Sequence, residues 1–445
     1  MPKSSAKLAI MVALGLAAAG SFGSYRLGRR AGVRAARAAS PAPTPAPTNV
    51  PTGTVDDARA RMRGYVGTPE EASDAAAALA TQGGLVLPKQ AFAQAGARVE
   101  WYLRAIVPVY DPEVFRYRLG GTCDFVTLER RRVVLNPPLE KRGTCLVELA
   151  VLSAADEPLT RAQVEVLIVP PNAGAKQRFQ MLLVGDSLGH QSRFPNELAL
   201  LFKAPGNPKI EFVGTHHPPG ALVSHEQYGG WRFRYFTTLV DVDVKNYHTT
   251  RSPFVFRDAS GTAQVDVARY LKESVGGARP RNVHIQLGIN DAFALDPDDA
   301  GVEKALAEII HDADTLIEAI HAALPAGVIT VGSVIQANMS DRAFIESYHD
   351  YPKLHSEWRW RRVQMMLARR MVERFQGRQA ERILLVPTHM LVDPLDGYHA
   401  HMWTPEGVQD SLSNAVHPSH VGDRQLAAGI YAVIKAELAS LPGSH

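Results

Sequence analysis

Cysteine is nearly absent from this chain of 445 residues: Cys123 and Cys145 are its only two. Two thiols are too few for a disulfide-built scaffold or a zinc site made of cysteines. Net charge is also small, +3 from 48 basic and 45 acidic residues. Even that excess is local. Lys3, Lys7, Arg26, Arg29, Arg30, Arg34 and Arg37 lie in residues 1–38 with no acid among them, which leaves 41 bases against 45 acids in the remainder. A mildly acidic body has no electrostatic means of gripping nucleic acid, so that class of partner is excluded. The apolar run from Leu8 to Gly23 is sixteen residues long, short of the roughly 20 of an ordinary membrane span.

What is present is the composition of a folded globular protein, 46% apolar and 21% charged, in a chain long enough for two or three units. Lys3 and Lys7 followed by the 8–23 run have the charge-then-hydrophobic order of an export signal, with Ala17, Ala18 and Ala19 as small residues for cleavage. The arginines after the run favour the cytoplasmic side, so a cytoplasmic-facing anchor stands as the alternative to export. No cysteine lies near the run, which excludes a lipoprotein anchor. We therefore read residues 1–38 as a signal peptide or signal anchor with a basic flank, and residues 8–23 as the segment that could anchor the protein in the inner membrane. The expected location is exported, periplasmic or extracellular.

Residues 39–54 carry Pro41, Pro43, Pro45, Pro47 and Pro51, a Pro/Ala-rich linker that should be extended. Residues 55–96 read as a helical segment. Thr68 is its N-cap, Pro69 its first position and Glu71 the capping-box partner, and Gly83-Gly84 ends it. In residues 97–172 the period shortens. Strand-like runs begin at Val99, Phe115, Phe125, Arg132, Cys145 and Ala162, separated by Asp111-Pro112, Gly120-Gly121 and Pro137-Pro138. With no helical stretch between them, they predict a small antiparallel β-sandwich. In an exported protein Cys123 and Cys145 would pair as one disulfide.

From residue 176 to 442 apolar, β-branched strands at 179–184, 209–213, 283–287, 328–331 and 382–386 alternate with helices at 302–324, 354–375 and 421–438. The pattern predicts a doubly wound α/β domain, with its site at the carboxyl ends of the strands. After the first strand comes Gly185-Asp186-Ser187, which puts a serine on a tight turn into a helix, where backbone N–H groups can receive a developing oxyanion. After the second comes Gly229-Gly230, and after the third Gly288-Ile289-Asn290-Asp291, whose asparagine can aim an amide at the same point. Before the last helix stands Asn414-Ala415-Val416-His417-Pro418, with His417 a candidate general base.

These four blocks in this order resemble the SGNH hydrolase superfamily, the GDSL esterases and lipases, over residues 178–440. The resemblance implies a flavodoxin-like fold and a serine esterase. Ser187 would be the nucleophile, His417 the base, and the N–H groups of Ser187 and Gly230 with the Asn290 amide the oxyanion hole. No cofactor is required. Asp291 would be structural. One position departs from the family: its triad aspartate is Asn414 here. Either Ser187 and His417 work as a dyad with Asn414 as an orienting acceptor, or Asp410 takes the vacant role. The expected substrate is a small-molecule or polysaccharide ester carrying a short acyl group, acetyl above all. An O-acyltransferase acting on glycans and a non-catalytic glycan-binding protein are the alternatives.

Other conspicuous groups read blandly. His216-His217 and His399-Ala400-His401 lack a third ligand at a telling spacing, so no metal is expected. The arginines at 359, 361, 362, 369, 370, 374 and 378 read as the solvated face of an amphipathic surface helix.

Overall fold

In a computed structural model the chain is described over residues 69–153, 155–240, 251–399, 402–404, 407–409 and 414–440. The leader and linker readings, the cap at Thr68, and Asp410 and His401 lie outside the described residues. Among the described residues no helix is long and apolar enough to cross a membrane.

The C-terminal part is built on a parallel sheet. Its strands are Arg178–Gly185, Lys209–Val213, Asn282–Gln286, Val328–Gly332 and Ile383–Val386, with the short Glu226–Gln227 beside the carboxyl end of the first. In chain order, counting the five long strands, the spatial order is second, first, third, fourth, fifth, an order of doubly wound sheets. The central strands Asn282–Gln286 and Val328–Gly332 are buried at every position. Val328–Gly332 is apolar but for Thr330, whereas Asn282–Gln286 alternates and buries Asn282, His284 and Gln286, with His284 Nδ1 3.1 Å from Thr330 Oγ1. Helices Arg193–Lys203 and His420–Ala439 pack on each other in one layer, while Val302–Ala323 and Glu357–Phe375 pair in a second.

The preceding part differs from the antiparallel expectation in two ways. Gln90–Gln94, inside the stretch read as helical after Pro69–Thr81, is a strand, and it pairs parallel to Pro158–Val169. That strand continues antiparallel to Gly143–Leu152, which pairs with Arg116–Gly121. Second, the run from Val99 stops as a strand at Tyr102 and turns into the helix Leu103–Ile106. Leu103, Ala105 and Ile106 are buried there, so burial on a turn of helix, not alternation, accounts for the apolar run. A second sheet of Val99–Tyr102, Arg132–Leu135 and Val126–Leu128 shares one hydrophobic core with the first, including Trp101, Leu135, Val147 and Val166. The Cys123–Cys145 disulfide is formed, with the Cα atoms 5.2 Å apart.

The two parts are joined by the arginines of Glu357–Phe375, and here the surface-helix reading is corrected. Arg361 is 1% exposed. Its guanidinium donates to the carbonyls of Val109 (3.0 Å) and Tyr110 and lies 3.3 Å from Glu357, which also takes Arg104 at 2.9 Å. Arg369 donates to the carbonyls of Gln82, Gly83 and Gly84. Only part of the row, such as Arg362 with Asp298 and Arg370 with Glu303, forms solvent-side pairs. Removing a buried cation leaves the Val109 carbonyl unpaired and Glu357 with Arg104 alone, whereas an exposed pair contributes little. Arg361→Met should lower the free energy of unfolding by about 3 kcal/mol, and Arg370→Met by less than about 1 kcal/mol. Urea melts monitored by tryptophan fluorescence would read the difference. Equal effects would remove Arg361 from this role.

Candidate active site

Ser187 opens the four-residue helix Ser187–His190, with Asp186 as its N-cap accepting the Leu188 N–H at 3.0 Å. Asp186 is wholly buried, and burial, with Asp291 adding to it, raises its carboxyl to about 7. The turn is so close to the next strand that a Cβ at Gly189 would sit 1.2 Å from Gln227 Oε1. A side chain there would displace the Gln227 amide.

His417 reaches this turn from the other end of the domain, its Nε2 2.8 Å from Ser187 Oγ. Its Nδ1 lies 3.0 Å from Asn414 Oδ1. The same oxygen accepts the backbone N–H of His417 at 2.9 Å and of Val416 at 3.3 Å. Two backbone donors converge on it, so the amide cannot rotate to present its NH2 without facing donor to donor. Asn414 is therefore held as an acceptor, Nδ1 carries the proton, and Nε2 is left basic towards the serine. The turn is steadied from behind: Ala415 exchanges bonds with Ser347 Oγ (3.0 Å) and the Asn338 N–H (2.8 Å).

Asn290 is tied to the residue that follows Gly230. Asn290 lies in the first turn of Ile289–Ala292, one residue beyond Gly288, and its Nδ2 donates to the Trp231 carbonyl at 3.0 Å. Asp291 Oδ1 accepts the Phe233 N–H at 3.1 Å. Together these two bonds clamp the segment after Gly230, which takes φ +77°, a backbone that disfavours any side chain. Asp291 is buried, and burial raises its carboxyl to about 7. Its place behind the clamp is a structural one.

The structure thus places Ser187, His417 and Asn414 in one hydrogen-bonded line, and joins Asn290 and Gly230 through Trp231. His216 and His217 diverge. The His216 ring stacks on His190 at 4.6 Å, while the His217 ring faces Ser224. Among the described residues no group of three His, Cys, Asp or Glu side chains is arranged to hold a metal.

Arg193 went unread in the sequence. Burial pushes the His417 imidazole down to about 4, and the Arg193 charge and His399 push it the same way. An exposed arginine at the start of a helix carries no sequence signal of that influence. A histidine serves as a base only when neutral, so the low value would keep His417 fit for that role well below neutrality. With His417 as the base, kcat/KM should hold a plateau through pH 6–8 and fall as pH drops through about 4. In Arg193→Gln the fall should begin at higher pH, because a positive neighbour that opposed protonation is gone. A pH profile of the two proteins measures the shift, and an acid limb centred above pH 6 in the parent would contradict it.

No family model matches this chain, and no curated protein does. Solved structures similar to it include a family 3 carbohydrate esterase of Clostridium thermocellum, 16% identical, with 59% of this chain and 100% of that one covered at a TM-score of 0.35. A family 3 carbohydrate esterase from Talaromyces cellulolyticus is 15% identical over 59% and 99% of the two chains, with a TM-score of 0.32. An acetyl-xylooligosaccharide esterase from Geobacillus is 13% identical over 61% and 98%, with a TM-score of 0.30.

Proposed function

We propose that this protein is a serine ester hydrolase of the SGNH type. The observation that carries the reading is the line from Ser187 Oγ through the His417 imidazole to an asparagine oxygen locked as acceptor. In this reading Ser187 attacks the ester carbonyl while His417 Nε2 takes its proton. The tetrahedral oxyanion is received by the N–H groups of Ser187 and Gly230 and by the Asn290 amide. His417 then returns the proton to the leaving alcohol, and water, activated the same way, releases the acid.

The acyl group is a short one, acetyl, and the alcohol a polysaccharide hydroxyl. The Cys123–Cys145 disulfide supports an oxidising compartment outside the cytoplasm, where such polymers lie. Purified protein should hydrolyse p-nitrophenyl acetate and release acetate from acetylated glycans. Absence of both activities would refute the reading. Transfer of acetyl to an added sugar in preference to water would make it an acyltransferase.

A further inference from the structure

Ser192, five residues beyond the candidate nucleophile, is a fully buried serine with φ +56° and ψ +25°, in the left-handed region that serine rarely enters. It is the N-cap of Arg193–Lys203, yet its side chain makes no capping bond to that helix. A serine at this position ordinarily accepts a first-turn N–H from an extended backbone. Both local preferences are overridden by one contact: Ser192 Oγ lies 2.7 Å from His225 Nε2.

The direction of that bond follows from its neighbour. His225 Nδ1 receives the Gln227 N–H at 3.2 Å, so Nδ1 is the acceptor and Nε2–H donates to the serine. His225 is fully buried, and burial, reinforced by His216, His190 and His217, holds its imidazole down at about 3. At neutral pH the donor is therefore neutral.

The two residues lie on the two segments that must be in register for an oxyanion hole. Ser192 closes the 185–192 stretch that carries Ser187, its N–H bonding back to the Gly189 carbonyl at 2.7 Å. His225 opens the stretch that runs to Gly230. There Glu226 and Gln227 pair with Val184 and Gly185, and Tyr228 N–H donates to the Gly185 carbonyl at 3.0 Å. His190, at the end of the nucleophile helix, donates from Nδ1 to the Gln227 carbonyl at 3.3 Å. Backbone strain that persists beside a reacting group is held there by surrounding contacts.

We propose that Ser192 and His225 are a positioning pair that sets the separation between Ser187 and the Gly230 N–H, and so the quality of the oxyanion hole. This rests on the hydrolase reading. Neither residue touches substrate; each acts through the segment it holds.

The test compares wild type, Ser187→Ala, Ser192→Gly and His225→Gln with p-nitrophenyl acetate and a trifluoromethyl ketone, which mimics the tetrahedral oxyanion. Glycine adopts positive φ freely, so Ser192→Gly removes the hydroxyl without opposing the backbone. It should keep the wild-type Tm within about 3 °C and leave KM unchanged, while kcat falls about tenfold and inhibitor Ki rises by the same factor, within the loss known for oxyanion donors. His225→Gln, which retains an N–H near Nε2, should recover most of the rate. Ser192→Gly with kcat and Ki within twofold of wild type would overturn the proposal, as would losses that track Tm or KM in both variants. A wild type without hydrolysis, or Ser187→Ala that keeps it, would instead bring down the hydrolase reading, and the pair's role with it.

Discussion

Ser187→Ala should reduce p-nitrophenyl acetate hydrolysis by on the order of 10,000-fold or more, because the hydroxyl proposed to form the acyl-enzyme is gone and water must attack unaided. The fold should not register the change. Ser187 is half-buried at the start of a short helix whose capping comes from Asp186, and the alanine keeps every backbone contact of that turn. Tm should stay within about 2 °C, since surface and turn substitutions of this kind shift stability little. A variant retaining more than a few per cent of the parent rate would place the nucleophile elsewhere.

Asn414→Asp should raise kcat at neutral pH by about 10- to 100-fold, a part of the roughly 10,000-fold that the reverse substitution costs in the serine-protease triad. That larger figure includes a tautomer penalty, because a free asparagine amide can offer its NH2 to the imidazole. Here the Val416 and His417 N–H groups prevent it, so what Asn414 lacks is charge alone. A carboxylate at 3.0 Å from Nδ1 would stabilise the imidazolium that forms in the transition state. It would also draw the His417 value upward from about 4, and the acid limb of kcat/KM should move up with it. The companion variant Asp410→Asn separates the two readings of this site. If Asn414 is the supporting group, its rate stays within about threefold of the parent, as for a residue outside the machinery. A collapse of activity in Asp410→Asn with an unchanged Tm would transfer the role to Asp410.

The parallel strands were legible for a physical reason. A strand covered on both faces is rich in apolar, β-branched residues, and Val328–Gly332 is so apart from Thr330. Gln90–Gln94 escaped because its sequence, Gln-Ala-Phe-Ala-Gln, has little β preference of its own. It becomes a strand by pairing with residues 165–169, some 75 positions away. The arginines of Glu357–Phe375 were misread on the same ground. Burial of Arg361 depends on carbonyls about 250 residues distant, and no window of sequence contains them.

The site divides in a similar way. The turn at Ser187, the Gly-x-Asn-Asp block and the Asn-to-His spacing are local patterns, and the hold of Asn414 on the 416 and 417 N–H groups is itself a turn of four residues. By itself, then, the sequence determined the kind of local turn that Ser187, Asn290 and His417 each occupy. Tertiary structure alone decided that His417 stands 2.8 Å from a serine 230 positions earlier, that Arg193 bears on that histidine, and that a buried His225 holds Ser192 in a backbone serine does not favour. Propensity and hydrogen-bonding pattern act over a few residues. Burial and charge act through space, between segments that only the folded sheet brings together.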